Sequence, residues 1–543
     1  MAKNPVLSAL LRLVRQYRAE TSGDQKGEGG LGRRDFLKGA AGGLGALAAF
    51  SALPEGAHAQ QRRRNTVAPR RPAQPVRVGI IGAGLAGLVA ADELVRKGAE
   101  VRLFDARTRI GGRVRTLLDG LGHGLPAELG GEFINSEHRT MRALTDRFKL
   151  PLLDTLAGDE AKFQPVLVVD GKRLEVSKVV ADLAAFLKQV SDDVKLSIEA
   201  SGAALRAESE LPVRLLELDR MSMAQYFDEK SCPQPLRTIL ESAYTAEFGR
   251  ETADQSAINF LIMFSEMESE EEPDFLGGSD ERFKLIGGNE LLAKALGAAI
   301  TQAQPEASPR LEHILKSVRP ASVDPAKGLI VTLEQVHGGT VEFTFDRVIL
   351  ALPFTALRSV DLAELELSPK KRSVIEGLGY GLSGKLILGF ADRLWRQDGL
   401  NGASYSDAAF QSSWDTSRAR AGTAGALTLY CGGEKALADL GKGTTEEVEQ
   451  RWRPELLKVF SRLDGQEPHR LLRAHWPSEA HVRVGYSSFG PGQWTRFNGL
   501  EGKAELDGRL IFAGEHTSLE AGGYMEGAAE SGKRAALEAL KAL

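Results

Sequence analysis

A chain of 543 residues with 42% apolar and 26% charged residues has ordinary globular composition, yet it is too long for one hydrophobic core; two joined domains are expected. A formal charge of -4 leaves no basic face of the size nucleic acid demands, which argues against DNA and RNA as partners. The two cysteines, Cys232 and Cys431, lie far apart and follow no metal spacing; buried thiols are expected, and no metal site.

Residues 1–59 have the parts of an export signal: the pair Arg33 and Arg34, then Phe36 and Leu37, a mild apolar run over about 39–53, and Ala57-His58-Ala59 as a cleavage site. The run is too short and glycine-rich to span a bilayer. The segment resembles a twin-arginine (Tat) signal, which implies passage through the Tat export machinery to the periplasm or beyond, folded and with any cofactor already inside. Residues 60–75, basic, proline-bearing and unpatterned, read as a leader.

Order is expected from residue 76. Val76–Ile81 is a β-branched run suited to a buried parallel strand, and Leu85–Lys97 has helical periodicity with alanines suited to close packing. Between them, Gly82 makes a tight turn, Gly84 lets a pyrophosphate approach the backbone, and Gly87 lets the helix sit against the strand. Free N–H groups and the positive helix end then face the phosphates. Asp105 follows at the end of the next strand, placed to accept from ribose hydroxyls. A strand, a glycine turn, a helix and a second strand with a terminal acid make a dinucleotide site.

The continuation "ARTRIGGRVRT" narrows the dinucleotide. Gly111-Gly112-Arg113 after the acidic residue resembles the flavin-containing amine oxidase superfamily, which includes monoamine and L-amino acid oxidases. The resemblance implies an α/β fold: a Rossmann-type FAD-binding domain, discontinuous in sequence, with an α+β substrate-binding domain. It implies that Gly111 and Gly112 bring backbone close to FAD and that Arg107 and Arg113 offer cations to its phosphate side. Asp105 stands where the family more often has glutamate.

"ELGGEFINSEHRTMRALTDRF" resembles the family's next flavin-facing loop and carries Gly131. From about 153 to 281 the pattern is a helical insertion with a strand-like "FQPVLVVDGKRLEV" and a capping box at Ser222–Gln225. Its acidic run 265–275 is read as a solvated loop. "ERFKLIGGNELLAKALGAAI" and the strands around a Gly338-Gly339 hairpin look like a return to the cofactor domain, with backbone near Leu315 implied to touch the adenine. The expected domains are 76–152, 282–374 and 478–543 for FAD, and 153–281 and 375–477 for substrate.

Lys385 sits in an otherwise apolar strand-like run, where a buried lysine is costly unless partnered. The family resemblance makes it the lysine that holds a water against the reactive flavin nitrogen. Tyr486 falls on the family's tyrosine wall beside the flavin, and Gly485 stands where monoamine oxidases carry the flavin-bonding cysteine, so FAD is expected to be noncovalent. Glu515 is implied to meet a ribityl or ribose hydroxyl. Gly522 and Gly523 then precede Tyr524, a second aromatic wall, and Met525, whose amide opens the last helix toward the flavin's pyrimidine edge. Two parallel tyrosines would make a slot for a neutral amine.

The expected reaction is oxidation of a primary amine or polyamine, with dioxygen as electron acceptor. The alternative is L-amino acid oxidation. That activity pairs a substrate carboxylate with an arginine after the "LGG" loop, where this chain reads Glu132 or Phe133, although Arg139 or Arg250 could substitute. Flavoproteins that desaturate carotenoids or porphyrinogens share the glycine motifs but not the set Lys385, Tyr486 and Tyr524. Self-association as a homodimer is left open.

Overall fold

In the computed structural model, which describes residues 75–541 apart from 201–204, 208, 264–279 and 323–326, the run RVGII forms the strand Arg77–Ile81. The export signal, almost all of the leader and the acidic run 265–275 lie outside the described residues. This strand is central in a four-stranded sheet ordered Leu510–Phe512, Arg347–Leu350, Arg77–Ile81, Glu100–Phe104, all parallel. Strands from the beginning, middle and end of the chain therefore meet side by side. Being covered on both faces explains why the central strand is apolar without alternation.

The helix Leu85–Arg96 follows the glycine turn and covers one face of that sheet. Gly82 has φ +106°, a left-handed conformation that L side chains rarely adopt. A Cβ on Gly87 would lie 1.8 Å from the carbonyl oxygen of Gly82, so only glycine lets this helix approach its strand. The last helix, Met525–Leu540, packs against it just as closely: a Cβ on Gly532 would lie 2.3 Å from the Ala86 carbonyl. A three-stranded antiparallel sheet, His313–Pro320, Leu329–Gln335 and Thr340–Phe345, packs on the sheet's other face through Phe104, Phe345 and Leu350.

The insertion leaves and returns at one point, because Leu152–Asp154 pairs antiparallel with Phe283–Leu285. Within it, the strand Gln164–Val169 joins a seven-stranded sheet ordered Arg470–His475, Ser383–Phe390, Gly425–Gly432, Ser412–Asp415, Leu400–Ser406, Gln164–Val169, Lys172–Leu174. Helices of the insertion bury Tyr226, Phe227, Tyr244 and Phe260 against one face of this sheet, together with Leu167 and Tyr405. Helix Thr445–Val459 contributes Val448, Trp452 and Leu456 to a second core with Leu386, Leu388 and Leu429. The capping box forms as the sequence predicts, with the Ser222 side chain accepting from the Gln225 amide and the Gln225 side chain from that of Ser222. Cys232 and Cys431 are buried free thiols. No helix among the described residues is long and apolar enough to cross a membrane.

The closeness at Gly87 gives a direct test. Gly87→Ala should destabilise the protein by about 3 kcal/mol and lower the amount of flavin that copurifies, measured by thermal unfolding and by visible absorbance.

Candidate active site

The two domains' sheets enclose a cavity of about 440 Å³. One end is built by the glycine turn, with Gly82, Gly84, Asp105, Arg107 and Gly112; the other by Lys385, Tyr430, Tyr486 and Tyr524. Gly131, Leu315, Arg113, Glu515 and Met525 also line it, whereas Gly87 lies behind the wall as a packing residue.

The dinucleotide end fits a bound pyrophosphate. A Cβ on Gly84 would meet only the Gly112 Cα at 3.8 Å, so the space before this backbone is open. The helix that starts there has no side-chain cap and no acid in its first turn, leaving its N–H groups for an anion. Asp105 accepts from the Ala83 amide at 2.8 Å and from the Arg107 amide at 2.9 Å, which stiffens the turn. Arg107 Nε donates to Asp105 at 3.2 Å, while its Nη1 is buried without a hydrogen-bond partner at the cavity wall. An orphaned guanidinium nitrogen of this kind is suited to a phosphate oxygen.

Arg113 takes a different course from the expected phosphate contact. Its Nη1 donates to Glu515 at 2.8 Å and to the Gly485 carbonyl at 2.7 Å, tying residue 113 to the C-terminal segment. Glu515 also accepts from the Ser487 hydroxyl at 2.8 Å and the Gly523 amide at 2.7 Å. Its carboxylate is thus committed to bracing the backbone around Tyr486 and Tyr524. Burial by itself would raise this carboxyl, but the Arg113 charge and these hydrogen bonds outweigh it and lower it to about 2.

Sheet register sets the opposite wall. Lys385 lies on the buried strand Ser383–Phe390, flanked by strands on both sides, and is directly opposite Tyr430. Leu386 and Leu388 point to the core behind, while Lys385 points to the cavity. Its Nζ donates to the carbonyls of Glu128 and Gly130 at 3.2 and 3.0 Å, and to Glu132 Oε2 at 2.9 Å. All three ammonium protons therefore have protein acceptors, a departure from the water-holding lysine that the resemblance implies.

Tyr486 is held by its hydroxyl, which donates to the Glu247 carbonyl at 2.7 Å and lies 2.9 Å from the Tyr430 hydroxyl. Burial pushes both phenols up, Tyr430 to about 12 and Tyr486 well above its ordinary value, so neither serves as a base near neutral pH. Tyr524 caps the last helix and packs edge-on against His138, ring centroids 5.2 Å apart. Met525 is wedged against Gly131, where a Cβ would come within 3.0 Å of its side chain.

The sequence reading did not single out Trp414, Tyr430 and Lys284. Trp414 lies 5.5 Å from the Tyr430 ring and 6.0 Å from Phe133, completing an aromatic wall. Lys284 meets Glu132 at 2.7 Å. A lysine between Phe283 and Leu285 carries the same signal as Lys385 and could have been found by it. Arg139 is exposed, Arg250 donates to the Ser488 carbonyl, and neither lines the cavity.

A dinucleotide cradle joined to an aromatic chamber with a buried lysine defines a flavin-dependent oxidoreductase. The chain belongs to the flavin-containing amine oxidoreductase family, which it matches over residues 85–540. It is 27% identical over 503 residues to the flavin-dependent L-tryptophan oxidase of Lentzea aerocolonigenes, covering 86% of this chain and 98% of that one. It is 26% identical over 481 residues to a flavin-containing amine oxidase of Oncorhynchus mykiss, covering 85% of each. Cyclohexylamine oxidase from Brevibacterium oxydans shares the fold, with a TM-score of 0.71 at 20% identity over 86% of this chain and 98% of its own. The cofactor is FAD, bound noncovalently. No cysteine is among the described residues lining the cavity, and a Cβ at Gly485 would lie 2.4 Å from Ser383 Oγ.

Two outcomes follow. Arg107→Ala should weaken FAD retention about ten-fold, measured by equilibrium dialysis with flavin absorbance. Glu515→Gln should cost about 3 kcal/mol near neutral pH. Because the folded carboxyl is depressed from 4.5 to about 2, that stabilisation is complete above 4.5 and is lost as pH falls through 2. The gap between wild-type and variant unfolding midpoints should close over that window.

Proposed function

We propose that this FAD-dependent amine oxidase acts on primary amines or polyamines, with Lys385, Tyr486 and Tyr524 as its catalytic residues and dioxygen as electron acceptor. The observation that carries the reading is the chamber wall of Phe133, Trp414, Tyr430, Tyr486 and Tyr524. Rings of this kind receive an apolar amine, and among the described lining residues Arg107 and Arg113 are committed elsewhere while Arg483 is exposed. Among the described residues that line the cavity, no arginine is placed to clamp a carboxylate at the substrate end.

FAD, which the turn at Gly82 and Gly84 with Arg107 and Gly112 would hold, would supply the sink for the two electrons and proton that leave the amine's α-carbon, with dioxygen as final acceptor. The amine and dioxygen yield an imine and hydrogen peroxide; water then hydrolyses the imine to a carbonyl compound and ammonia. The chain's residues position and polarise. Tyr486, locked by its hydroxyl, and Tyr524 present ring faces that orient the substrate, and Lys385 holds a fixed ammonium at the wall. With the phenols of Tyr430 and Tyr486 neutral, the nitrogen must arrive unprotonated for the α-carbon to give up its hydride equivalent.

L-Amino acid oxidation is the second reading, favoured by the likeness to an L-tryptophan oxidase. The arginine pair and apolar run of residues 1–59 support export through the Tat machinery, with FAD loaded beforehand and a periplasmic or secreted destination.

Anaerobic mixing should bleach the flavin with primary amines or polyamines and leave it oxidised with L-amino acids; air should restore the colour and release peroxide. Bleaching by amino acids alone would reverse the substrate assignment.

A further inference from the structure

Two ammonium groups share one carboxylate at the cavity wall. Lys284 comes from the strand Phe283–Leu285, Lys385 from Ser383–Phe390, and Glu132 from the loop after Ala127–Glu128; all three are buried. Lys284 Nζ donates to Glu132 Oε1 at 2.7 Å and to the carbonyl and hydroxyl oxygens of Thr416 at 2.9 and 3.1 Å. The Thr416 hydroxyl in turn donates to Glu132. Lys385 takes the other carboxylate oxygen and two carbonyls. Each ammonium has three protons and three acceptors, so the network is closed.

Glu132 stays anionic within it. Burial would raise its carboxyl, but the charges of Lys284 and Lys385 outweigh burial and hold it well below the usual range. Two cations on one anion leave a single positive charge, with no free N–H to deliver it. The two ammoniums also lie against the chamber's rings, Lys284 at 5.4 Å from the Phe133 centroid and Lys385 at 5.3 Å from that of Trp414.

We propose that Lys284, acting through Glu132, is a positioning residue that leaves one uncompensated positive charge at this wall, and that the charge selects the free-base form of the amine. The proposal rests on the amine oxidase reading. A substrate ammonium beside the wall is repelled through space, whereas the neutral amine, the form that can lose hydride, is not. The same charge attracts carboxylates, but without a donor to grip them, so the wall is a field and not a clamp. One unit of charge at this range corresponds to about ten-fold in the affinity of a charged ligand.

The other ionisable groups around the triad bear on its charge. Glu128, whose carboxylate accepts from the Asn289 amide and the Thr116 hydroxyl, is raised by burial to about 7. Arg420 acts on Glu128, Glu281 lines the cavity, and Asp415, raised by burial, adjoins Thr416 in the chain. Tyr430 and Tyr486 remain neutral. Below pH 7 Glu128 is mostly protonated and the wall carries the triad's full charge; above it, ionised Glu128, held by Asn289 and Thr116 and not by the ammoniums, weakens that charge from a distance and leaves the one-unit differences among the variants unchanged.

The test uses FAD-loaded enzyme at about pH 6, where Glu128 is protonated, titrated with benzoate while the flavin's visible spectrum is followed. The charge on the triad is zero in Lys284→Met, two in Glu132→Gln and one again in the double variant. Benzoate should bind about ten-fold more weakly to the first and about ten-fold more tightly to the second, and the double variant should return to the wild-type affinity. Weaker binding in both single variants, or a double variant worse than either, would overturn the proposal, because a merely structural triad loses affinity with each change.

Benzamide, a neutral probe of the same shape, keeps the test decisive if Glu132→Gln does not load FAD. Lys284→Met should then weaken benzoate and leave benzamide unchanged; equal weakening of both overturns the proposal. In a second arm, anaerobic flavin reduction by benzylamine should reach half its maximal rate at higher pH in Lys284→Met and at lower pH in Glu132→Gln. Unmoved profiles would sink the free-base claim. Failure of every amine to reduce wild-type flavin would instead sink the amine reading, and the benzoate arm would still stand.

Discussion

The ion pair between Arg113 and Glu515 is the constraint on which the site depends. It joins residues 402 positions apart in sequence, with Glu515 buried. Taking these charges out of water is costly, and the geometry compensates because the carboxylate also receives the Ser487 hydroxyl and the Gly523 amide while the guanidinium reaches the Gly485 carbonyl. Through these contacts one carboxylate sets the backbone beside both Tyr486 and Tyr524. The first cofactor loop and the last helix are thereby held to one cavity, although part of the chain between them leaves to build the seven-stranded sheet.

The two sheets divide the work. The parallel sheet presents the ends of its strands and a helix N-terminus, which suits phosphate and asks little of side chains. The seven-stranded sheet presents a face, so its contribution follows the two-residue alternation of strands: Lys385 toward the cavity, Leu386 and Leu388 toward the core. Pairing Lys385 with Tyr430 across neighbouring strands places a charge and a ring side by side, and the Tyr430 hydroxyl then reaches Tyr486 from another segment. Chemistry at this wall is a matter of register.

Buried charge is handled twice by the same means. Glu515 and Glu132 are both enclosed, both surrounded by donors and both held ionised, whereas Glu128, with fewer donors and an anionic neighbour, is raised by burial instead. The contrast shows why two carboxylates close in sequence, one at a strand end and one in the loop after it, differ: Glu132 has two lysines on its oxygens, and Glu128 has an amide and a hydroxyl.

The sequence by itself determined the local parts. A β-branched run, three glycines at fixed spacing and an acidic residue after the next strand specify the nucleotide turn, because φ and Cβ clearance at Gly82 and Gly87 are local steric facts. The capping box at Ser222 and the hairpin at Gly338-Gly339 were legible for the same reason. A lysine in an apolar strand announced that it needed a partner. Only the tertiary structure decided which partner. Glu132, Lys284 and Thr416 come from three distant segments, Arg113 turns from phosphate toward Glu515, and Trp414 and Tyr430 reach the chamber through strand register. Such assignments rest on which strands pair and in what register, a choice made by the burial of whole faces and not by any short stretch of chain.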